Sequence, residues 1–569
     1  MKLQKVYINK YKHLHEFEMI FNDHDGELGN ADIKFFIGKN GSGKSAFMEA
    51  LGLIFTRVLQ DESPGFIFEL VYSVCADGTE TQIKISNRKT AISIHKDRVK
   101  ESLGIGIQPK FEVSVRNKGA GFVKLDLFKE PFSSLIQYHP KKIISCSSGP
   151  NNIMENILVH TPSTSLKSDI YDASNRGVSF KDYDARQKEI DNSLRNLGAL
   201  ADNPRCLYID GSTAKLVLIA LFASIPGNKD NGRLTLEQEM YCNMRDKLVG
   251  FMDKKIRPLA FSIVANNDNL EKTALGGIAC ESFRELLYVE KEAEEKGSKR
   301  LNDWVSIQNR DTEDVEDTKK QQKVAGFKIS SENNFEQKFF HVPKLNCKWS
   351  PMQLLTILLT AKYNGLVNDA HIVFKYDNDD NMLSEAAFSD GEYLWLARMG
   401  LILLSQDAVS DNCLFLFDEP DVHLNENWTV DFIKLIQEFS KIQGFYMHHE
   451  FIIATHSSLI LTDADPEQLY HFVFEDGKVR IRDDDMSTFG ANMGEISKKI
   501  FGTGISVGRH ANDFLEEKIA KEENPEKLED IIVRTGPGYF RFRLLEKYFE
   551  LESKNESRNG EDFNADKNK

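Results

Sequence analysis

The sequence predicts an α/β fold of parallel and mixed sheets interrupted by a helical insertion, and three observations predict it. Near the N-terminus the apolar run 33–37 leads through a glycine-rich loop into residues 46–59, whose apolar positions recur at helical spacing. Far downstream, two strongly apolar strands at 413–417 and 451–454 flank a helical pattern at 426–439, and strands alternating with helices imply a parallel sheet. Between these parts, residues 151–344 change texture toward helical and charge-rich segments. The predicted organisation is an N-terminal lobe over 1–150, a helical insertion over 151–345, a C-terminal lobe over 346–551 and a disordered polar tail over 552–569.

At 569 residues the chain exceeds one small core, since domains average about 150 residues. With 41% hydrophobic and 28% charged residues it has the composition of a globular protein. Cys75, Cys146, Cys206, Cys242, Cys280, Cys347 and Cys413 lie far apart and form no C-x-x-C pair, which argues against a zinc site or a dense disulfide framework and fits a reducing, cytoplasmic compartment. The N-terminus lacks a signal-peptide apolar region, and apolar runs such as 216–225 are far short of a membrane span, so a soluble chain without membrane contact is expected. A net charge of −15 works against a general nucleic-acid coat while leaving room for a local basic face.

Along the N-terminal lobe, residues 3–21 alternate as strands around a turn at 9–12, and 66–75, 81–85, 91–94 and 111–115 read as a β-rich meander. A further strand begins at Lys142 and ends in the polar loop 147–152. In the middle third, 212–223, 236–252 and 283–296 read as helices, and the charged run 302–323 reads as a solvated helix or loop. No sustained heptad repeat is present there, which excludes a long coiled coil. Beyond it, 352–363 is helical, 371–376 is a strand, 377–381 is a turn cluster, and a helix follows Ser389.

The loop itself, Gly38-Lys39-Asn40-Gly41-Ser42-Gly43-Lys44-Ser45, satisfies the phosphate-loop pattern G-x-x-x-x-G-K-[ST] in the strand-to-helix context that pattern requires. Its glycines let successive N–H groups point inward, and the helix opening at Ala46 adds partial positive charge toward a phosphate. Lys44 is then placed for the β- and γ-phosphates of ATP, and the Ser45 hydroxyl for Mg²⁺. The strand 414–417 delivers Asp418 and Glu419 at its C-terminal end, where ligands gather in a parallel sheet. Asp418 suits Mg²⁺, directly or through water, and Glu419 suits the attacking water; taken alone, such a pair also fits an ordinary turn. A third apolar strand ends in Thr455-His456-Ser457, which places His456 for the γ-phosphate or the water. Phe388-Ser389-Asp390-Gly391-Glu392 opens a helix, where Ser389 and the Gly391 backbone suit a phosphate, although Ser-Asp-x-Glu equally fits plain capping.

These four motifs, in this order, resemble the ABC-type ATPase head shared by SMC, Rad50, RecF and OLD proteins. The resemblance covers the two outer thirds of the chain. In it Gly38 to Ser45 is Walker A, Ser389 to Glu392 the signature, Asp418 and Glu419 Walker B, Pro420 to Leu424 the D-loop and His456 the switch histidine. It implies that two heads sandwich two ATP molecules in a homodimer or larger assembly, each Walker A site being completed by Ser389 and Gly391 of the second copy. It also places Lys12, after the first strand, where such heads carry a basic residue near the nucleotide. A Q-loop belongs around 147–151, and no glutamine stands there.

Walker A and signature lie about 344 residues apart, too few for the long arms of SMC proteins. About a hundred residues follow His456, and Asp483-Asp484-Asp485, after a hairpin at 470–481, are the acids available to an OLD-type nuclease domain; acids in that setting more often form a solvated turn. Ser147-Ser148-Gly149, Arg205 to Asp210, Thr488 to Asn492 and Gly536 to Leu544 resemble restriction-system-associated anti-phage ATPases, including the PtuA-like subunit of Septu and of some retron systems. That resemblance implies an ATPase, not itself a nuclease, that holds a separately encoded HNH nuclease and in some systems a reverse transcriptase with its DNA product. The alternative is a RecF- or SMC-like repair ATPase that contacts DNA directly.

Overall fold

Side-chain alternation sets the first elements. In β1 (Lys2–Tyr11) and β2 (Leu14–Ile20), Val6, Ile8, Leu14, Phe17 and Met19 turn inward, and the chain reverses through Lys12, which takes a left-handed φ of 49°. The structure, a computed structural model, describes residues 1–22, 31–59, 63–76, 79–88, 111–117, 120–125, 138–147, 153–160, 205–224, 235–250, 256–266, 282–283, 286, 328–330, 335–341, 349–376, 382–384, 388–406, 412–442, 445–482, 487–502 and 507–565. Within them lie two compact units, Met1–Ala491 and Asn492–Lys569.

In the first unit, β3 (Asp32–Ile37) runs through the loop 38–43 into α1 (Lys44–Leu59). There follow β4 (Phe68–Ala76), β5 (Thr79–Ser86), β6 (Glu112–Asn117), β7 (Val123–Lys124), β8 (Ile143–Ser147) and β9 (Cys206–Ile209). Next come α2 (Ala214–Ala223), α3 (Leu236–Gly250), β10 (Ile256–Asn266), β11 (Lys328–Ser330), β12 (Phe335–His341), α4 (Pro351–Tyr363), β13 (Val367–Tyr376), β14 (Met382–Ser384) and α5 (Asp390–Leu404). The unit closes with β15 (Leu414–Asp418), α6 (Glu426–Phe439), β16 (Lys441–Ile442), β17 (Phe445–Tyr446), β18 (Glu450–Ala454), β19 (Leu469–Glu475) and β20 (Lys478–Arg482).

An antiparallel sheet has the order β2-β1-β4-β5-β6-β7, and the central sheet the order β20-β19-β3-β18-β15-β8-β9, parallel except for the β19–β20 hairpin. A third sheet, β11-β12-β10-β13-β14, is antiparallel. One apolar cluster joins Phe47, Leu51 and Phe55 of α1 to Val6 and Leu70 on one side and to Phe36, Leu416 and Ile452 on the other. A helix packed on two sheets must be apolar nearly all round, which explains the burial of most of α1. In β3, Lys34 is fully buried and meets Glu450 of β18 and Asp32 at 2.7 Å each. Removing one partner of a buried pair leaves an uncompensated charge, so Lys34→Met is expected to cost about 3–5 kcal/mol, read as a lowered thermal midpoint. An unchanged midpoint would show that the pair contributes nothing.

The second unit comprises α7 (Met493–Ile500), α8 (Arg509–Lys521), α9 (Pro525–Arg534) and α10 (Tyr539–Ala565). Asn524 caps α9 by accepting from Glu526 N and Lys527 N, and Leu528, Ile532 and Leu544 form the core.

Three sequence expectations need correction. The stretch 151–345 is not only helical, because β9 extends the central sheet and β10, β11 and β12 build the third one. Short apolar runs such as Cys-Leu-Tyr-Ile carry no decisive period, and burial at the sheet decides them. The C-terminal lobe does not run to 551, since the core around Leu528 and Leu544 makes 492–569 a unit of its own. Residues 552–565 continue α10 where a disordered tail was expected, because Glu, Lys and Ser at these positions are compatible with a helix already anchored by Phe540 and Leu544. The expectations for 91–94, 148–152, 302–323, 377–381, 483–485 and most of 283–296 lie outside the described residues.

Candidate nucleotide-binding site

Sheet register gathers the site. Asp418 pairs with Ala454 on one side and Ser147 on the other, and Ala454 pairs with Phe36, so the C-terminal ends of β3, β18, β15 and β8 stand level. The residues that follow these strands, distant in sequence, therefore emerge at one edge.

The loop after β3 needs its glycines for two reasons. Gly38 has φ 137°, and a Cβ there would lie 2.2 Å from the Phe472 carbonyl oxygen; Gly43 has φ 106°, and its Cβ would meet Val479 at 2.7 Å. The β19–β20 hairpin thus forms the floor of the loop. Gly41, at φ 78°, has open space around it. Lys39 and Asn40 are exposed, and Ala46 is half-buried in the first turn of α1. The Ser42 hydroxyl is buried with no hydrogen-bond partner among the described residues.

Lys44 Nζ donates to Gly38 O at 2.9 Å and to Lys39 O at 3.3 Å, and lies 2.9 Å from His456 Nε2. An ammonium can only donate, so Nε2 is the nitrogen bearing the lone pair. Burial, with Lys44 beside it, lowers the His456 pKa and keeps the ring neutral. Burial also brings the Lys44 pKa down to about 8, although Asp418 and Glu419 oppose this. Ser45 Oγ donates to Asp418 Oδ2 at 2.9 Å. Glu419 adopts φ 49°, its N–H donates to Ala454 O at 2.8 Å, and its Oε1 stands 3.6 Å from His456 Nε2. Lys44, Ser45, Asp418, Glu419 and His456 therefore face one another.

The other sequence-predicted residues are held elsewhere. Ser389 caps α5 in a reciprocal box with Glu392, its Oγ accepting from Glu392 N at 3.3 Å while Glu392 Oε2 accepts from Ser389 N at 2.8 Å. Gly391 packs on the segment after Glu419 so closely that a Cβ would lie 2.3 Å from His423 O. Lys12 is ion-paired with Glu49 of α1, whose carboxylate also accepts from the Tyr11 hydroxyl at 3.1 Å.

Two residues that the sequence left without a role also take part. Thr455, fully buried, donates to Asp421 Oδ1 at 2.7 Å and accepts from Ser457 N at 2.9 Å, tying the segment after Glu419 to the one carrying His456. Arg398 on α5 donates to Pro420 O. Its signal was a lone cation within the otherwise apolar run 394–404.

Mg²⁺ and a triphosphate fit these residues. The unpartnered Ser42 hydroxyl and the open side of Gly41 line the loop, and Ser45 Oγ and Asp418 present adjoining oxygens of the hard type that Mg²⁺ prefers. Bound there, the cation would supply charge neutralisation at the phosphates. Burial raises the Asp418 pKa to about 6. A carboxyl must lose its proton to hold a cation, so protons compete below about pH 6. Mg²⁺ half-saturation of nucleotide binding is expected to move to higher concentration at pH 5.5 than at pH 7.5, and an unchanged half-saturation would remove Asp418 from the metal site.

Among the described residues no helix is long and apolar enough to cross a membrane. Residues 1–198 match the family described as AAA ATPase domain. Over 183 residues the chain is 26% identical to Protein ea59 of Escherichia phage lambda, which covers 31% of this chain and 30% of that protein. The chain thus matches less than a third of that curated relative's length. The fold is that of a P-loop ATPase, and the match of its first 198 residues to the AAA ATPase domain supports an ATP-binding ATPase.

Proposed function

We propose that the chain is an ABC-type ATPase that binds and hydrolyses ATP with Mg²⁺, and that nucleotide-dependent self-association lets it regulate a separately encoded effector nuclease in a bacterial anti-phage system. The observation that carries the ATPase reading is the meeting of Lys44 with His456 at 2.9 Å and of Ser45 with Asp418 at 2.9 Å, across some 370 to 410 residues of sequence. Lys44 would draw phosphate oxygens into the loop, and Ser45 with Asp418 would hold Mg²⁺. Glu419 would orient water and take its proton at Oε1, with neutral His456 beside it at the phosphate end.

Self-association is supported by the exposed N-terminus of α5, where Ser389 and Asp390 face solvent and are free to meet a second copy. The nuclease partner, of HNH type, and a reverse transcriptase with its DNA product rest on the motif resemblance alone. Sedimentation velocity with and without ATP and Mg²⁺ tests the reading: ATP should shift the chain to a faster-sedimenting dimer or larger species. A chain whose sedimentation ignores ATP contradicts it. Steeply salt-dependent DNA binding by the isolated chain would instead favour a RecF-like repair ATPase acting directly on DNA.

A further inference from the structure

The five residues from Glu419 to His423 connect the candidate water-positioning carboxylate to α6, and their backbone is unusual. Both ends, Glu419 and His423, adopt left-handed φ values of 49° and 71°, a conformation that non-glycine residues occupy only when the surroundings impose it. The segment's own hydrogen bonds are local: Val422 N donates to Glu419 O at 3.2 Å, and Leu424 N donates to Asp421 O at 3.0 Å. One side is fastened to β18 by Glu419 N on Ala454 O and by Thr455 on Asp421.

The other side is fastened to α5. Arg398, 3% exposed, donates through one guanidinium nitrogen to Pro420 O, and the same nitrogen stands 3.5 Å from Val422 O. Two turns earlier on the same helix, Gly391 lies flat against His423 O. The helix therefore touches the Pro420, Val422 and His423 carbonyls of the segment, and its N-terminus carries the exposed Ser389 and Asp390.

We infer that Arg398 is a positioning residue that fixes the Glu419 carboxylate through the Pro420 and Val422 carbonyls, so that its loss slows the hydrolytic step and leaves nucleotide binding unchanged. This inference rests on the ATPase reading above. Nη1 carries two N–H groups and so can address both carbonyls, whereas the shorter carboxamide of glutamine and the point-charge ammonium of lysine do not reproduce that placement. Loss of these contacts leaves Glu419 attached to β18 by its N–H and frees its side-chain direction. The loop that holds the phosphates is untouched, because it is built on β3, α1 and the β19–β20 hairpin.

The experiment compares Arg398→Lys and Arg398→Gln with the parental chain. It measures thermal midpoint, affinity for a fluorescent ATP analogue, and kcat and KM for ATP hydrolysis. In whichever variant folds, kcat should fall at least tenfold while nucleotide affinity stays within about twofold. In a Glu419→Gln background the same substitution should change the residual rate by less than about twofold, because two residues acting on one step are not additive. Unchanged kcat in a folded variant overturns the inference. So does a parallel loss of kcat and affinity, the mark of general loosening, and so does failure of both variants to fold, which would make Arg398 a stability residue. A parental chain that neither binds nor hydrolyses ATP would instead overturn the ATPase reading.

Discussion

Glu419→Gln is expected to abolish most ATP hydrolysis, by roughly 10²–10⁴-fold, while leaving ATP binding intact, because a carboxamide keeps the shape of the side chain but cannot accept a proton. The geometry makes the residue specific. Glu419 is held at φ 49° by its bond to Ala454, and its Oε1 faces His456 at 3.6 Å, whereas the neighbouring Asp418 turns to Ser45. Binding without turnover should also populate the ATP-bound assembly. The check is steady-state phosphate release alongside a nucleotide-binding titration. A variant that hydrolyses ATP at the parental rate would remove Glu419 from the water-positioning role.

Lys44→Ala should act one stage earlier. In the structure the ammonium folds onto Gly38 O and Lys39 O and against His456, so it already points into the loop that a phosphate would enter. Charge-assisted hydrogen bonds contribute about 1.5–3 kcal/mol each, so losing one or two of them weakens ATP binding by roughly 10- to 100-fold or more. Fluorescence titration with an ATP analogue measures this directly. Equal ATP affinity in the parental and Lys44→Ala chains would contradict the placement of the phosphates.

The local chemistry of the site was legible in the sequence because it is written in contiguous residues. The glycine spacing of 38–43 follows from positive φ and from the crowding at Phe472 and Val479, and a strand ending in Asp418-Glu419 announces itself by its apolar run. The parallel order around β18 was also accessible, since helices separate the strands. What the sequence could not show is pairing across distance. The third sheet joins β10 to β13 through strands whose partners lie about a hundred residues apart, and no local period reveals that. The cation of Arg398 and the hydroxyl of Thr455 acquire meaning only through the backbone atoms and side chains brought beside them. The separate C-terminal unit was hidden for the same reason, because Leu528 and Leu544 read as ordinary helix positions until they meet.

Calorimetric titration of ATP with Mg²⁺ into the parental chain and into Asp418→Asn measures whether segments so far apart hold one ligand. One nucleotide should bind per parental chain, and the Mg²⁺-dependent part of the affinity should vanish in Asp418→Asn while metal-free binding persists. A parental chain that takes up no ATP at millimolar concentration, or an Asp418→Asn chain with unaltered Mg²⁺ dependence, would contradict it.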